Sequence, residues 1–364
     1  MLRQKYYKPT NDISLSLVNK HNAGGEKSNR SQPNLRYQKD KILDFSSDET
    51  PTSLTLEQEI LNTRHLFREC QKIMHNILLG IMQGKTLDVS EILQLTERIY
   101  DQVVSNSDAV VYCSLEKKPA NYTSMSAICF CALMLNYCKE MGYSHDDLLN
   151  VGVGALLHDV GKMWVCQFLI NKPKRLSKKE LVNVKDHVAF SKMILHRSEV
   201  TNDLILDIVL KHHERLDGTG YPNGSNKKQL STLSQMAMIV DVYDAMTSNR
   251  CYKNAVTPFE ALQYLLSQNK KFSSQCAQQF IKLVGIYPIG TLVRLRSGLL
   301  GIVTSQTDDL LNPNVKAIFD IRSKRHIPPT FINTKECSQQ FKENSIVNVV
   351  PRSEFSVNMN LYMA

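Results

Sequence analysis

The sequence predicts a mainly α-helical protein with a small β-rich C-terminal appendage. Three observations point to that class. Apolar residues recur three and four positions apart over most of the stretch from 54 to 286. The same stretch carries repeated helix-start signals, and beyond Pro288 the apolar spacing shortens to every second residue. With 364 residues, the chain can bury one large core or two moderate ones.

Residues 1–50 are rich in Asn, Ser, Lys and Gln, contain Gly24-Gly25 and sustain no apolar pattern, so they are expected to form a disordered or loosely attached arm. Leu56, Ile60, Phe67, Met74, Ile77, Leu78 and Ile81 then fit one face of a long helix over 54–82. Ile92, Leu93, Thr96, Ile99 and Val103 repeat that period over 89–104, and the pair reads as an N-terminal helical module within 51–118. The central region, 119–286, reads as all-α. Ser144 with Asp147 resembles a capping box before a helix over 148–157, and Ser177 with Glu180 is a fuller one before a helix over 181–196. The clearest start is Thr257-Pro258-Phe259-Glu260, with an N-cap, a proline at the first helical position and a glutamate able to reach back. Within 287–364, the runs 291–295, 301–304 and 315–319 alternate as strands of a small antiparallel sheet.

A formal net charge of +9 favours anionic partners, although the lysines are scattered and equally fit a protein that is merely basic. Nine cysteines without a secretory signal imply reduced thiols and a cytoplasmic location. The absence of any CxxC pair excludes a zinc ribbon or thioredoxin-type motif. The longest apolar runs, 128–135 and 151–157, are too short to cross a bilayer, so membrane insertion is not expected. There is no internal repeat and no nucleotide-type glycine loop.

The chemistry is carried by polar residues placed on apolar faces. His187 falls on the stripe of Val184, Val188, Ser191 and Leu195. His212 shares a stripe with Ile205, Ile208 and Val209, with His213 one position round, and Asp241 and Asp244 lie on the stripe of Leu233, Met236, Ala237 and Val240. A lone inward histidine is more often a satisfied core residue than a ligand. Four histidines, counting His158 beside Asp159, together with Asp241 and Asp244 on successive helices, point instead to a metal site, because unpaired buried carboxylates are costly. Imidazole and carboxylate suit Fe, Mn or Zn. A carboxylate shared by two such ions fixes them roughly 3.5–4 Å apart, and the pair would bind a phosphate and make hydroxide available near neutral pH. That combination suggests phosphoester hydrolysis.

The blocks Leu156-Leu157-His158-Asp159-Val160-Gly161-Lys162, His187, His212-His213-Glu214-Arg215-Leu216-Asp217-Gly218-Thr219-Gly220-Tyr221-Pro222 and Asp241-Val242-Tyr243-Asp244-Ala245-Met246-Thr247-Ser248-Asn249-Arg250, with Tyr252-Lys253, resemble the HD-GYP family over about 122–286. This family belongs to the HD metal-dependent phosphohydrolases and cleaves cyclic di-GMP. The resemblance implies an HD-type helical bundle holding two divalent ions, iron or manganese, with zinc allowed by ligand type. His158 and Asp241 would then serve the first ion, Asp159 would bridge both, and His187, His212 and His213 would complete the second. Lys162 would neutralise and position the scissile phosphate, with Asp159 and Lys162 forming the catalytic pair. Gly218, Gly220, Tyr221 and Pro222 would form the signature loop, with Gly220 and Tyr221 at the substrate. Arg250 and Lys253 would contact substrate phosphates, and Asp244 would hold a ligand or a nearby backbone group in place. The implied partner is a cyclic dinucleotide and not a nucleic acid polymer, with the signature loop and the N-terminal module as candidate surfaces for protein partners.

The chain departs from the family pattern at one ligand. The earlier family histidine, sixteen residues before the glycine matching Gly142, is Ser126 here, and a glutamate that some members carry one turn earlier is Tyr122. Three outcomes stay open: two ions with water at the missing position, one ion with reduced activity, or nucleotide binding without turnover as a signalling module. Cys129, one turn along, could approach the gap, but reads better as a small structural thiol. Trp164 could stack on a guanine but reads better as core or rim, and His145 reads as a solvated cap residue.

Overall fold

The computed structural model describes residues 54–117, 122–166, 176–249, 255–335 and 342–351, with 169, 172, 174, 354, 355, 357 and 359–363 besides. The arm expected over 1–50 lies outside them, as do Arg250 and Lys253.

Helix α1 (Leu56–Met82) buries Ile60, Phe67, Met74, Leu78 and Ile81, five positions of the face read from the sequence. Helix α2 (Val89–Ser105) buries Ile92, Leu95, Thr96, Ile99 and Val103, and starts where the Asp88 side chain accepts from the Ser90 amide. A further helix that periodicity did not reveal, α3 (Ser107–Ser114), follows at once. All its residues from Ala109 onward are buried, so it lacks the polar face that would have marked it. Helix α4 (Tyr122–Glu140) then runs through the centre of the molecule, and helix α5 (His145–Leu157) packs against both α4 and α2. The Ser144 cap of α5 is half a capping box: Ser144 accepts from the Asp147 amide, while the Asp147 carboxylate takes the Ser144 hydroxyl at 2.8 Å and does not reach back to the main chain. A short 3-10 turn over Val160–Trp164 leaves the end of α5 and lies on α7 (His187–Arg197).

The helix expected over 181–196 is two helices, α6 (Lys178–Lys185) and α7, meeting at Asp186. The break coincides with the His187 ring, whose Nδ1 lies 2.7 Å from the Val184 carbonyl oxygen, an acceptor that an unbroken helix would have used internally. The full capping box of Ser177 and Glu180 starts α6 as read. Helix α8 (Asp203–Lys211) packs on α5 and leads into α9 (Thr232–Thr247), which crosses α4. Helix α10 (Pro258–Ser267) carries the complete Thr257 and Glu260 box with Pro258 at its start, and α11 (Ser274–Val284) closes the bundle. Tyr137 of α4 donates to the Cys276 carbonyl at 2.6 Å, tying α11 to the central helix.

The C-terminal appendage is a five-stranded antiparallel sheet of order β4-β3-β2-β1-β5. Strands β1 (Leu292–Leu295), β2 (Leu299–Ser305) and β3 (Asn314–Asp320) are those whose alternation was legible. Strands β4 (Arg325–Asn333) and β5 (Ile346–Val350) were not read, and both are edges. Their outward residues are polar or exposed, and Pro328 and Pro329 in β4 remove donors in a way only an edge tolerates. Val293, Leu295, Val303, Val315, Ala317 and Ile332 make the sheet's own small core. A stacked Phe259–Tyr287 pair, with ring centroids 5.6 Å apart, links the sheet to α10, and Lys316 reaches Glu57 of α1 at 3.3 Å. The terminal helix α12 (Asn360–Met363) lies against α1. Residues from Leu56 onward thus form one unit, in which, among the described residues, no helix is long and apolar enough to cross a membrane.

Candidate metal centre

His158 ends α5, and Asp159 follows it in a conformation that leaves the helix and opens the 3-10 turn carrying Lys162. That turn sits directly on α7. The Gly161 amide donates to the Ser191 hydroxyl at 2.9 Å, and a Cβ on Gly161 would lie 2.0 Å from the His187 carbonyl oxygen and 2.4 Å from the Ser191 nitrogen. Only glycine therefore brings the strip holding Asp159 against the helix that starts with His187.

Three imidazoles are oriented the same way. Nδ1 of His158 lies 2.7 Å from the Ala155 carbonyl, Nδ1 of His187 lies 2.7 Å from that of Val184, and Nδ1 of His212 lies 3.1 Å from those of Ile208 and Val209. A neutral ring that donates from Nδ1 keeps a lone pair on Nε2, and these Nε2 atoms face Asp159. Oδ1 of Asp159 is 3.2 Å from Nε2 of His187 and 3.8 Å from Nε2 of His212, while Oδ2 is 3.1 Å from Nε2 of His158 and is bonded by Lys162. The carboxylate therefore turns one oxygen to each half of the cluster. The 3.2 Å separation is short enough for an ion pair, yet Asp159 Oδ1, His187 Nε2 and His212 Nε2 are all buried without a hydrogen-bond partner. The tautomer resolves the two statements: with its proton on Nδ1, His187 has nothing to donate from Nε2, and two lone pairs face each other.

His212 caps the end of α8, and His213 begins the loop. The buried Glu214 carboxylate accepts from the Asn223 amide at 2.8 Å and the Ser225 amide at 2.9 Å, which folds the loop into a closed ring. Gly220 passes so close to the start of this ring that a Cβ would lie 2.4 Å from the Arg215 nitrogen and the Glu214 Cα. Tyr221 is thereby laid on His213, its amide donating to the His213 carbonyl at 3.2 Å and its ring stacked at a centroid distance of 4.6 Å. Glu214 was not singled out by sequence reasoning. Its signal was a glutamate with no apolar face beside it, immediately ahead of a loop full of unpaired amides.

Across the cluster, Nδ1 of His213 is 3.3 Å from Oδ2 of Asp241 on α9. Burial works against the charged form of Asp159, but Lys162 and His158 outweigh it and hold that carboxyl well below the usual range. Burial likewise opposes ionisation of Asp241, and the His213 contact keeps it below the usual range. Burial pushes His212 well down, helped by the neighbouring His213 and His158 rings, and pushes His213 down to about 4 against the pull of Asp241. His158 is the exception: burial would lower it, and the adjacent Asp159 raises it. The site thus presents deprotonated carboxylates with His187, His212 and His213 close by, and His212 and His213 are held neutral.

Asp159, His187, His212 and His213 each offer one ligand atom within 4.8 Å of the others, with His158 and Asp241 in contact with that set. Convergent buried lone pairs with no donor to satisfy them fit a divalent cation and little else. Lys162 lies at Asp159. Among the described residues, the Asp244 carboxylate pairs with Lys117 and accepts from Ser126 at 2.9 Å, one turn of α9 beyond Asp241. A buried lysine arriving from the end of α3 offers a stronger partner than a neutral ring would, and no periodicity at Lys117 announced it. Cys129 is fully buried and burial pushes its thiol up to about 12, so it is a protonated packing residue. Trp164 packs edge-on to Phe190 at 6.0 Å and under Arg197, and His145 is exposed beside Tyr100.

Comparison with known proteins agrees with this arrangement. A family model described as HD domain matches residues 105–275. A cyclic di-GMP phosphodiesterase of Pseudomonas aeruginosa is 34% identical over 291 residues, which cover 80% of this chain and 70% of that protein. A cyclic di-GMP phosphodiesterase of Thermotoga maritima is 35% identical over 150 residues, 40% of each chain. Among solved structures, an HDG"Y"P protein from Bdellovibrio bacteriovorus superposes with a TM-score of 0.51 at 16% identity, covering 65% of this chain and 74% of that one, a likeness of fold. A helical bundle with His158-Asp159 at a helix end, a glycine-built loop laid on His213 and a relative matched along most of both chains place this protein in the HD-GYP family of HD-domain phosphohydrolases.

Proposed function

We propose that the protein is a divalent-metal phosphodiesterase that hydrolyses cyclic di-GMP to the linear dinucleotide pGpG, to GMP, or to both, with residues 119–286 carrying the chemistry and 51–118 and 287–364 flanking it. The observation that carries this reading is the convergence of three buried, unpartnered lone-pair atoms on Asp159, His187 and His212. The named activity of the Pseudomonas and Thermotoga relatives supports the substrate.

His187, His212, His213 and Oδ1 of Asp159 would hold one ion, and His158, Oδ2 of Asp159 and Asp241 would hold a second, of iron, manganese or zinc. The opposite headings of the two Asp159 oxygens support a bridging role. A bound ion of this kind supplies Lewis acidity and a lowered water pKa. The chain's own groups do the rest. The carbonyls of Ala155, Val184 and Ile208 fix three ring tautomers so that no ligand needs to reorganise. The Lys162 ammonium, already at the Asp159 carboxylate, is placed to neutralise charge growing on the scissile phosphate. Tyr221, stacked on His213, covers the cluster and limits water on that side. Arg250 and Lys253 are proposed to bind substrate phosphates.

A second reading, nucleotide binding without turnover, is favoured by Ser126, which is engaged with Asp244 and offers no imidazole. One experiment separates the two. Protein purified without oxygen is assayed for metal per chain and for cyclic di-GMP cleavage with added manganese or iron. Turnover that is lost in His212→Ala and Asp159→Ala supports the enzyme; tight binding with no product under either metal overturns it in favour of the binding module.

A further inference from the structure

Lys185 is the last residue of α6, two positions before His187, and its ammonium lies 4.8 Å from the centre of the Tyr221 ring, the same ring that stacks on His213 at 4.6 Å. Lys162 is bound to Asp159, and Lys172 and Lys211 are bound to Glu180 and Asp207. Lys185 makes no ion pair among the described residues. It is half-buried, so it is neither dissolved in bulk water nor neutralised by a carboxylate. A cation over an aromatic face is attracted by only about 0.5–2 kcal/mol, far less than a phosphate oxygen in the same place would offer.

We infer that Lys185 is a substrate-binding and specificity-determining residue that takes a phosphodiester oxygen of the nucleotide other than those under attack. This rests on the cyclic dinucleotide reading given above. A cyclic dinucleotide carries two phosphodiesters in one ring, and only one can lie on the Asp159 cluster at a time. The other leaves the cluster with its negative charge and needs a cation of its own. Lys162 is committed beside Asp159, and Arg250 and Lys253, proposed above for substrate phosphates, lie outside the described residues; Lys185 is a further cation, standing over the aromatic that covers His213 at the edge of the cluster. The α6–α7 break at Asp186 is what permits this placement. It frees the end of α6 from the direction of α7, so that Lys185 lies over Tyr221 while His187 lies against Asp159.

The test is the pair Lys185→Gln and Lys185→Arg, assayed on cyclic di-GMP and on bis(p-nitrophenyl) phosphate, which has a single phosphodiester, with metal content measured on the same preparations. Lys185→Gln is expected to raise KM for cyclic di-GMP about tenfold while changing KM for the small diester less than threefold. Metal content should stay within a fifth of the parent, and Lys185→Arg should restore most of the affinity. Equal losses on both substrates, or a loss of metal, would make Lys185 a support for Tyr221 and overturn the inference, as would an unchanged KM for cyclic di-GMP. If the parent protein binds cyclic di-GMP without cleaving it, the enzyme reading fails separately. The inference is then decided by calorimetric Kd, with a tenfold weakening in Lys185→Gln expected and an unchanged Kd overturning it. A parent that neither cleaves nor binds the nucleotide overturns both.

Discussion

Ser126 of α4 donates a 2.9 Å hydrogen bond to one oxygen of Asp244 on α9, and the buried ammonium of Lys117 takes the other. The three groups close a charge-balanced contact one helical turn beyond Asp241, on the side of the bundle where Phe130, one turn after Ser126, lies with its ring centroid 4.1 Å from that of His158. Removing one partner of a buried pair costs about 3–5 kcal/mol, because the survivor is left charged in the interior. Lys117→Met is therefore expected to lower the urea-unfolding free energy by about that much. Asp244→Asn in the same background, which keeps an acceptor for Ser126 while dropping the charge, should recover at least about half of it. A cost below about 1 kcal/mol for Lys117→Met would mean the pair is not formed.

Much of this protein is legible in its sequence, and the illegible parts share a physical cause. Amphipathic α1, α2 and α8 show themselves because one face meets water and the other does not. Helix α3 is buried on nearly every side, and β4 and β5 sit at sheet edges, so none of them carries a contrast for periodicity to detect. At the candidate site, His187, His212 and Asp241 are conspicuous in the sequence because they are polar residues on apolar stripes. Lys117 and Glu214 were missed because their burial is decided by partners far off in sequence or by loop amides, which no local pattern records. The single predicted helix over 181–196 failed at Asp186 for a related reason, since the side chain of His187 competes for a main-chain acceptor.

The lowered histidines make the protein acid-sensitive in a defined window. His213 titrates at about 4 in the folded chain and His212 lies well below its ordinary value, while both would titrate near 6.5 once unfolded. Between about pH 6.5 and 4 the unfolded chain takes up protons that these folded rings refuse, so stability must rise with pH across the window and fall on acidification. His158 acts in the opposite sense, since its raised value contributes stability below about pH 6.5 that is lost as pH climbs through the folded pKa. That loss falls above about pH 6.5, so the slope between about pH 6.5 and 4 is set by His212 and His213. The lowered Asp159 and Asp241 contribute stability that persists down to about pH 4 and fades only below it. In the presence of a chelator, Tm is expected to drop steadily from about pH 6.5 to about pH 4.5, and a flat or rising profile over that span would contradict the assignment.

Gly161 sets how closely the turn bearing Asp159 approaches α7, and its obstruction is main chain. A Cβ there would meet the His187 carbonyl oxygen at 2.0 Å and the Ser191 nitrogen at 2.4 Å, with the Ser191 hydroxyl only third at 2.8 Å. Overpacking against movable side chains costs about 1–3 kcal/mol, and a helix backbone cannot step aside as a side chain does. Gly161→Ala is therefore expected to cost at least about 3 kcal/mol in urea unfolding. Any relief by separating the turn from α7 would pull Asp159 away from His187, now 3.2 Å apart. Metal sites tolerate ligand displacements of only about 0.2 Å, so metal per chain should fall in the same variant even where it remains folded. Ser191→Ala, which deletes the hydroxyl bound by the Gly161 amide, is expected to cost about 1 kcal/mol on its own and to give no rescue when combined with Gly161→Ala. Rescue by that second change would locate the clash in the Ser191 side chain and refute the main-chain origin argued from these distances.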